Sequence, residues 1–93
     1  MNTPFKGIEN IGEVYFIGIG GIGMSAIARF FHAGGVVVSG YDKTPSELTG
    51  ELEASGIAVH YAENVELIPK KVDLVVYTPA IPEAHKELEY YKS

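Results

Sequence analysis

The sequence predicts an α/β domain, a doubly wound parallel sheet of four strands in the order 3-2-1-4 between helical layers. Three observations predict it. Strand-like and helix-like segments alternate along the chain, which implies parallel pairing through right-handed crossovers. The strand-like runs are nearly continuous in apolar residues, as in strands covered on both faces. The first of them passes into a helix through a glycine-rich turn, Gly18-Ile19-Gly20-Gly21-Ile22-Gly23, where the hydrophobic period changes from that of a strand to that of a helix.

Ninety-three residues make one small domain, and 46% hydrophobic with 20% charged residues describes an ordinary globular chain. Residues 1 to 12, with Pro4, Gly7 and Gly12, carry little periodicity and read as a lead-in. Their start lacks the apolar centre of a signal peptide, and no run is apolar enough to span a bilayer, so a cytoplasmic protein without membrane contact is expected. There is no cysteine, which removes disulfides and thiolate metal sites. A net charge of −5 argues against nucleic acid as a partner, yet leaves a phosphorylated ligand open, because backbone amides hold phosphate without lysine.

Val14 to Ile17 form the first strand, and Met24, Ile27, Ala28 and Phe31 recur at the spacing of one helix face. That helix is expected to end at Ala33, closed by Gly34-Gly35. Residues 36 to 42 read as the second strand. Thr44-Pro45-Ser46-Glu47 fits a capping box with proline at the first helical position, and Leu48 and Leu52 mark the buried side of the helix it opens. Ile57 to Tyr61 alternate as a short third strand, Asn64 caps a single turn over residues 65 to 68, and Pro69 stops it. Val72 to Tyr77, nearly all apolar, reads as a central strand. Thr78-Pro79-Ala80-Ile81-Pro82 is then an extended loop before a last helix from Glu83 to Tyr91. The chain stops just after that helix, where a doubly wound sheet would add a strand, so it reads as the first domain of something longer.

Gly18, Gly20 and Gly23 satisfy G-x-G-x-x-G, and Asp42 ends the next strand 19 positions beyond Gly23. In a Rossmann-like fold the first glycine makes the turn, the second lets backbone approach a diphosphate and the third lets helix pack on strand. The helix then begins with free N–H groups and the positive end of its dipole where a phosphate can sit. Four loops reach this carboxyl edge: residues 18–23, 41–44, 61–64 and 78–82. Asp42 is placed to accept from ribose or base donors, or else to cap the following turn. Ser39 either contacts ligand or satisfies local backbone. Thr78, Ala80 and Ile81 leave the switch point and are expected to line the site. His32 and His85 have no partners at metal-ligand spacing and read as surface residues, and Lys43 reads as a solvated charge able to offset phosphate. These features alone also fit an NAD(P)-binding domain of a dehydrogenase or sensor.

Residues 16–25 (FIGIGGIGMS), Val38-Ser39-Gly40-Tyr41-Asp42 and Tyr77-Thr78-Pro79-Ala80-Ile81-Pro82 resemble the N-terminal domain of the Mur ligase family, in its UDP-N-acetylmuramate–L-alanine ligase branch. The likeness covers residues 11 to 91, and its most specific part is Gly20-Gly21 followed by Met24. It implies a domain that holds the uridine diphosphate of UDP-N-acetylmuramate, with Gly21, Ile22 and Met24 joining the glycines at the ligand. It also implies His60, which resembles a histidine near the uridine end in the family. The family's ATP, Mg2+ and L-alanine sites belong to further domains. The 93 residues contain no G-x-x-x-x-G-K-[ST] and no clustered metal ligands, so no catalytic residue is expected here and the chain alone is expected to be inactive as a ligase.

Overall fold

A computed structural model describes residues 10 to 93, so the first nine residues of the expected lead-in lie outside the described residues. Four strands, β1 (Glu13–Ile17), β2 (Val37–Tyr41), β3 (Ala58–His60) and β4 (Leu74–Val76), alternate with three helices, α1 (Ile22–Ala33), α2 (Glu47–Ala54) and α3 (Lys86–Lys92). A 3-10 turn, Val65–Leu67, lies between β3 and β4 and is capped by the Asn64 side chain. The sheet is parallel in the order β3-β2-β1-β4. Tyr15 lies opposite Ser39 on one side and Val75 on the other, and Tyr41 lies opposite His60.

β1 is buried because both its edges are paired and both its faces are covered. Val14, Tyr15, Phe16 and Ile17 are all fully buried. Alternate residues face opposite layers. Val14 and Phe16 pack with Met24, Ala28 and Phe31 of α1 and Leu52 of α2, whereas Tyr15 and Ile17 pack with Tyr41, Ile68 and Leu88 of α3. Helices on both faces make the sheet doubly wound.

Several elements differ from expectation, each for a tertiary reason. β4 is short and lies at an edge of the described sheet rather than at its centre, with Leu74 38% exposed, because it pairs with β1 alone. Ile27, at a core spacing on α1, is 43% exposed, since the short β-strands cover only the Met24–Ala28–Phe31 stripe. The capping box of α2 is displaced by two residues: Ser46 is the cap, Thr49 N donates to Ser46 Oγ and Ser46 N to Thr49 Oγ1. Thr44 instead donates its N–H to Asp42 and belongs to the preceding turn. α3 begins three residues late because residues 82–85 close a turn, His85 N to Pro82 O, before His85 caps the helix.

Candidate nucleotide site

The turn after β1 folds tightly onto β2. Gly18 N and Ile19 N both donate to Tyr41 O, at 2.8 and 2.9 Å, and Gly21 N donates to Gly18 O. Gly18 has φ +92°, a backbone region that costs glycine nothing. Gly40 of β2 makes the approach possible, since a Cβ there would stand 2.7 Å from Ile19 Cδ1. Sequence reasoning passed over Gly40, although an isolated glycine inside a strand pattern is a signal of close approach.

Gly20 N donates to Asp42 Oδ2 at 2.7 Å, and Thr44 N to Asp42 Oδ1 at 3.1 Å. Asp42 therefore both braces the glycine turn and closes the turn that follows β2. A Cβ on Gly20 would lie 2.7 Å from Asp42 Oδ2 and 2.8 Å from Thr49 Cγ2, so the space beside this glycine is occupied by protein. Gly23 has nothing within 4 Å of its Cβ position and does not serve helix–strand packing. Gly21 is the N-cap of α1 and supplies no side-chain cap, so the first-turn N–H groups of Ile22, Gly23 and Met24 lack intrahelical acceptors. Ile22 is 84% exposed, which leaves that helix start accessible.

Beside the turn, on the α3 side of the carboxyl edge, is a cavity of about 490 Å³ lined by Gly18, Tyr41, Asp42, Lys43, Glu63, Ala80, Ile81, Pro82 and His85. All four carboxyl-edge segments contribute. Of the residues singled out in the sequence, Gly18, Asp42, Ala80 and Ile81 meet here, along with Lys43. Gly20, Gly21, Ile22 and Gly23 belong to the adjoining turn and helix start. Met24 is buried in the α1 core, and Thr78 Oγ1 accepts from Ala80 N, shaping the loop. Ser39 is set back in the sheet at the level of Tyr15, and its Oγ has no hydrogen-bond partner among the described residues.

His60 does not line the cavity; its Nε2 lies 2.8 Å from Glu87 Oε2 and 3.1 Å from the Tyr15 hydroxyl. Glu87 is fully buried, and it accepts from Tyr15 Oη at 2.5 Å and from Asn64 N at 3.0 Å. Burial first, then the hydrogen bond to Glu87 and its charge, push the Tyr15 phenol above its ordinary range. Tyr41 is also raised, by burial and then by Glu63, Glu87 and Asp42. His85 is buried, not a surface residue: it caps α3 and sits edge-on to Tyr41. Its role and that of Glu87 were hidden in the sequence because the last helix was expected to begin at Glu83, before both.

Among the described residues no group of three or more His, Asp or Glu side chains is arranged to hold a metal ion. Also among them, no helix is long and apolar enough to cross a membrane.

Residues 13–93 match the model of the "Mur ligase family, catalytic domain". Two curated relatives are both named UDP-N-acetylmuramate–L-alanine ligase. That of Flavobacterium psychrophilum is 57% identical over 90% of this chain and 20% of the relative, and that of Porphyromonas gingivalis 56% over 87% and 19%. The chain thus spans about a fifth of these relatives' length. Among solved structures, the UDP-N-acetylmuramate–alanine ligase of Thermotoga maritima matches with a TM-score of 0.81 at 32% identity, over 86% of this chain and 18% of that one. A murein peptide ligase of Psychrobacter arcticus shares the fold, with a TM-score of 0.78 at 24% identity, over 87% and 17%.

Proposed function

The chain belongs to the Mur ligase family, and from that premise we propose that it holds the uridine diphosphate part of UDP-N-acetylmuramate. In this reading it is the N-terminal domain of a cytoplasmic ligase that uses ATP to join L-alanine to that substrate for peptidoglycan synthesis. The observation that carries the reading is the cavity at the carboxyl edge, flanked by the glycine turn and the uncapped start of α1. Its size falls within the range of small-molecule sites, roughly 300 to 1,000 Å³. The open N–H groups at the helix start suit a diphosphate, and the mixed polar and apolar wall suits a base and sugar. The names of the relatives supply the substrate.

ATP and Mg2+ do not fit the residues present. The chain has no P-loop sequence, and the described residues hold no metal-ligand cluster. ATP, Mg2+ and L-alanine are therefore assigned to the parts of the relatives with which this chain does not align. Calorimetric titration of the chain with UDP-N-acetylmuramate, UDP and NAD+ tests the reading. UDP-N-acetylmuramate is expected to bind best, UDP more weakly and NAD+ not measurably. A preference for NAD+ would overturn it in favour of a dinucleotide-binding domain.

A further inference from the structure

One polar side chain in the cavity wall has no part in the nucleotide reading above. The His85 side chain is only 5% exposed, yet it lines the cavity beside Tyr41 and Glu63. Its ring is held on two sides. Tyr41 meets it edge-on with centroids 4.8 Å apart, and Nδ1 accepts the backbone N–H of Glu87 at 3.2 Å. A nitrogen that accepts carries no proton, so the proton of the neutral ring is on Nε2. That Nε2–H has no hydrogen-bond partner among the described residues. Glu63 Oε1 lies 4.0 Å away, beyond hydrogen-bond reach, and Glu63 is tethered through its other oxygen to Lys86 N at 2.6 Å. A donor buried without an acceptor is unfavourable, and folded proteins retain few of them.

We propose that His85 reads the base of the bound nucleotide, its Nε2–H donating to the C4 carbonyl oxygen of a uracil ring that enters the cavity and displaces the partly exposed Glu63 arm. The proposal rests on the nucleotide-binding reading and adds a specificity-determining residue to it. The cavity that His85 lines adjoins the glycine turn through Gly18, and that turn leads into the uncapped start of α1, so diphosphate and base can be held side by side. The donor cannot become an acceptor, because the exchange of tautomer would set Nδ1–H against the Glu87 N–H. A fixed donor accepts a carbonyl oxygen as partner and rejects an amino group. At C4 uracil presents a carbonyl oxygen where cytosine presents an amino group, so a donor aimed at that position selects UDP over CDP.

The test compares the 93-residue chain with its His85→Asn variant by calorimetric titration against UDP, CDP and inorganic pyrophosphate. Asparagine is a preferred helix cap, so it retains the bond to Glu87 N, but it is too short to replace the far nitrogen of the ring. The parent is expected to prefer UDP to CDP by about tenfold, and His85→Asn to weaken UDP by about the same factor, abolish the preference and leave pyrophosphate unchanged. Nitrogen-15 spectra of the His85 ring in the parent give a second readout. The Nε2–H signal is expected to move with UDP and not with pyrophosphate. A variant that keeps the UDP-to-CDP ratio, or loses pyrophosphate equally, overturns the assignment while UDP binding by the parent preserves the nucleotide reading. If the parent binds no UDP, both fall. Should His85→Asn fail to fold, an Nε2 signal unmoved at saturating UDP overturns the assignment on its own.

Discussion

The backbone N–H of Gly20 donates to Asp42 Oδ2 at 2.7 Å, so the carboxylate that ends β2 holds the second glycine of the turn after β1. In a dinucleotide-binding fold an acid at this position answers a ribose hydroxyl. Here both of its oxygens already accept backbone N–H groups, one from the glycine turn and one from Thr44. The turn and the acid form one unit, and a change in either reaches the other.

Asp42→Ala is therefore expected to loosen the glycine turn itself. Removing a charged acceptor from two backbone donors costs about 1.5 to 3 kcal/mol, and pyrophosphate affinity should fall together with UDP affinity. Thermal unfolding and the two titrations check this. A variant that loses UDP but keeps pyrophosphate would make sugar or base contact the main work of Asp42.

Gly20→Ala and Gly23→Ala should part company. At Gly20 the new methyl would stand within 2.8 Å of Asp42 and Thr49 side-chain atoms, and overpacking of that kind costs about 1 to 3 kcal/mol. At Gly23 it meets nothing within 4 Å and its φ is not positive, so alanine is expected to be neutral or to stabilise by up to about 1 kcal/mol. Urea midpoints of the two variants decide it, and equal losses at both positions would contradict the steric account.

What was legible in the sequence is local or periodic. The change of period at Gly18–Gly23 located β1 and α1, and the alternation of elements gave the sheet order without any coordinates. Asp42 was placed at the correct edge for the same reason. What stayed hidden depends on neighbours distant in the chain. Ile27 has a core spacing but no layer above it, and Thr44 fits a cap by sequence until Asp42 claims its N–H and the cap passes to Ser46. Tyr15, His60 and Glu87 come from β1, β3 and α3, 72 positions apart at the extremes, and only the fold joins them.

Glu87 is the centre of that group, fully buried with the Tyr15 hydroxyl, His60 Nε2 and Asn64 N around its carboxylate. Glu87→Ala leaves all three without their acceptor. Leaving a buried donor without its acceptor costs about 1 to 3 kcal/mol, a sizeable part of the 5 to 15 kcal/mol typical of a domain. Glu87→Gln keeps one acceptor oxygen and is expected to lose less. Chemical denaturation of both variants checks the order, and an alanine variant as stable as the glutamine one would show that the network contributes little.

Buried phenols in and beside this group contribute to the response to alkali. Burial and then Glu87 raise the Tyr15 phenol, and burial followed by Glu87, Tyr90 and Glu13 raises that of Tyr91, whose hydroxyl donates to Pro69 O. In the unfolded chain both phenols ionise near their ordinary value of about 10. The folded state thus binds more protons than the unfolded state above that pH, and stability must fall as pH rises. Below about pH 9 neither phenol ionises in either state, so they contribute no pH dependence there. Well above pH 10 each raised tyrosine contributes a loss approaching about 1.4 kcal/mol per pH unit. Denaturant midpoints at pH 8, 10 and 11 should show a plateau and then a decline, and a Tyr15→Phe, Tyr91→Phe double variant should decline less steeply even if it starts lower. Parallel profiles for parent and double variant would mean that these two phenols do not govern alkaline unfolding.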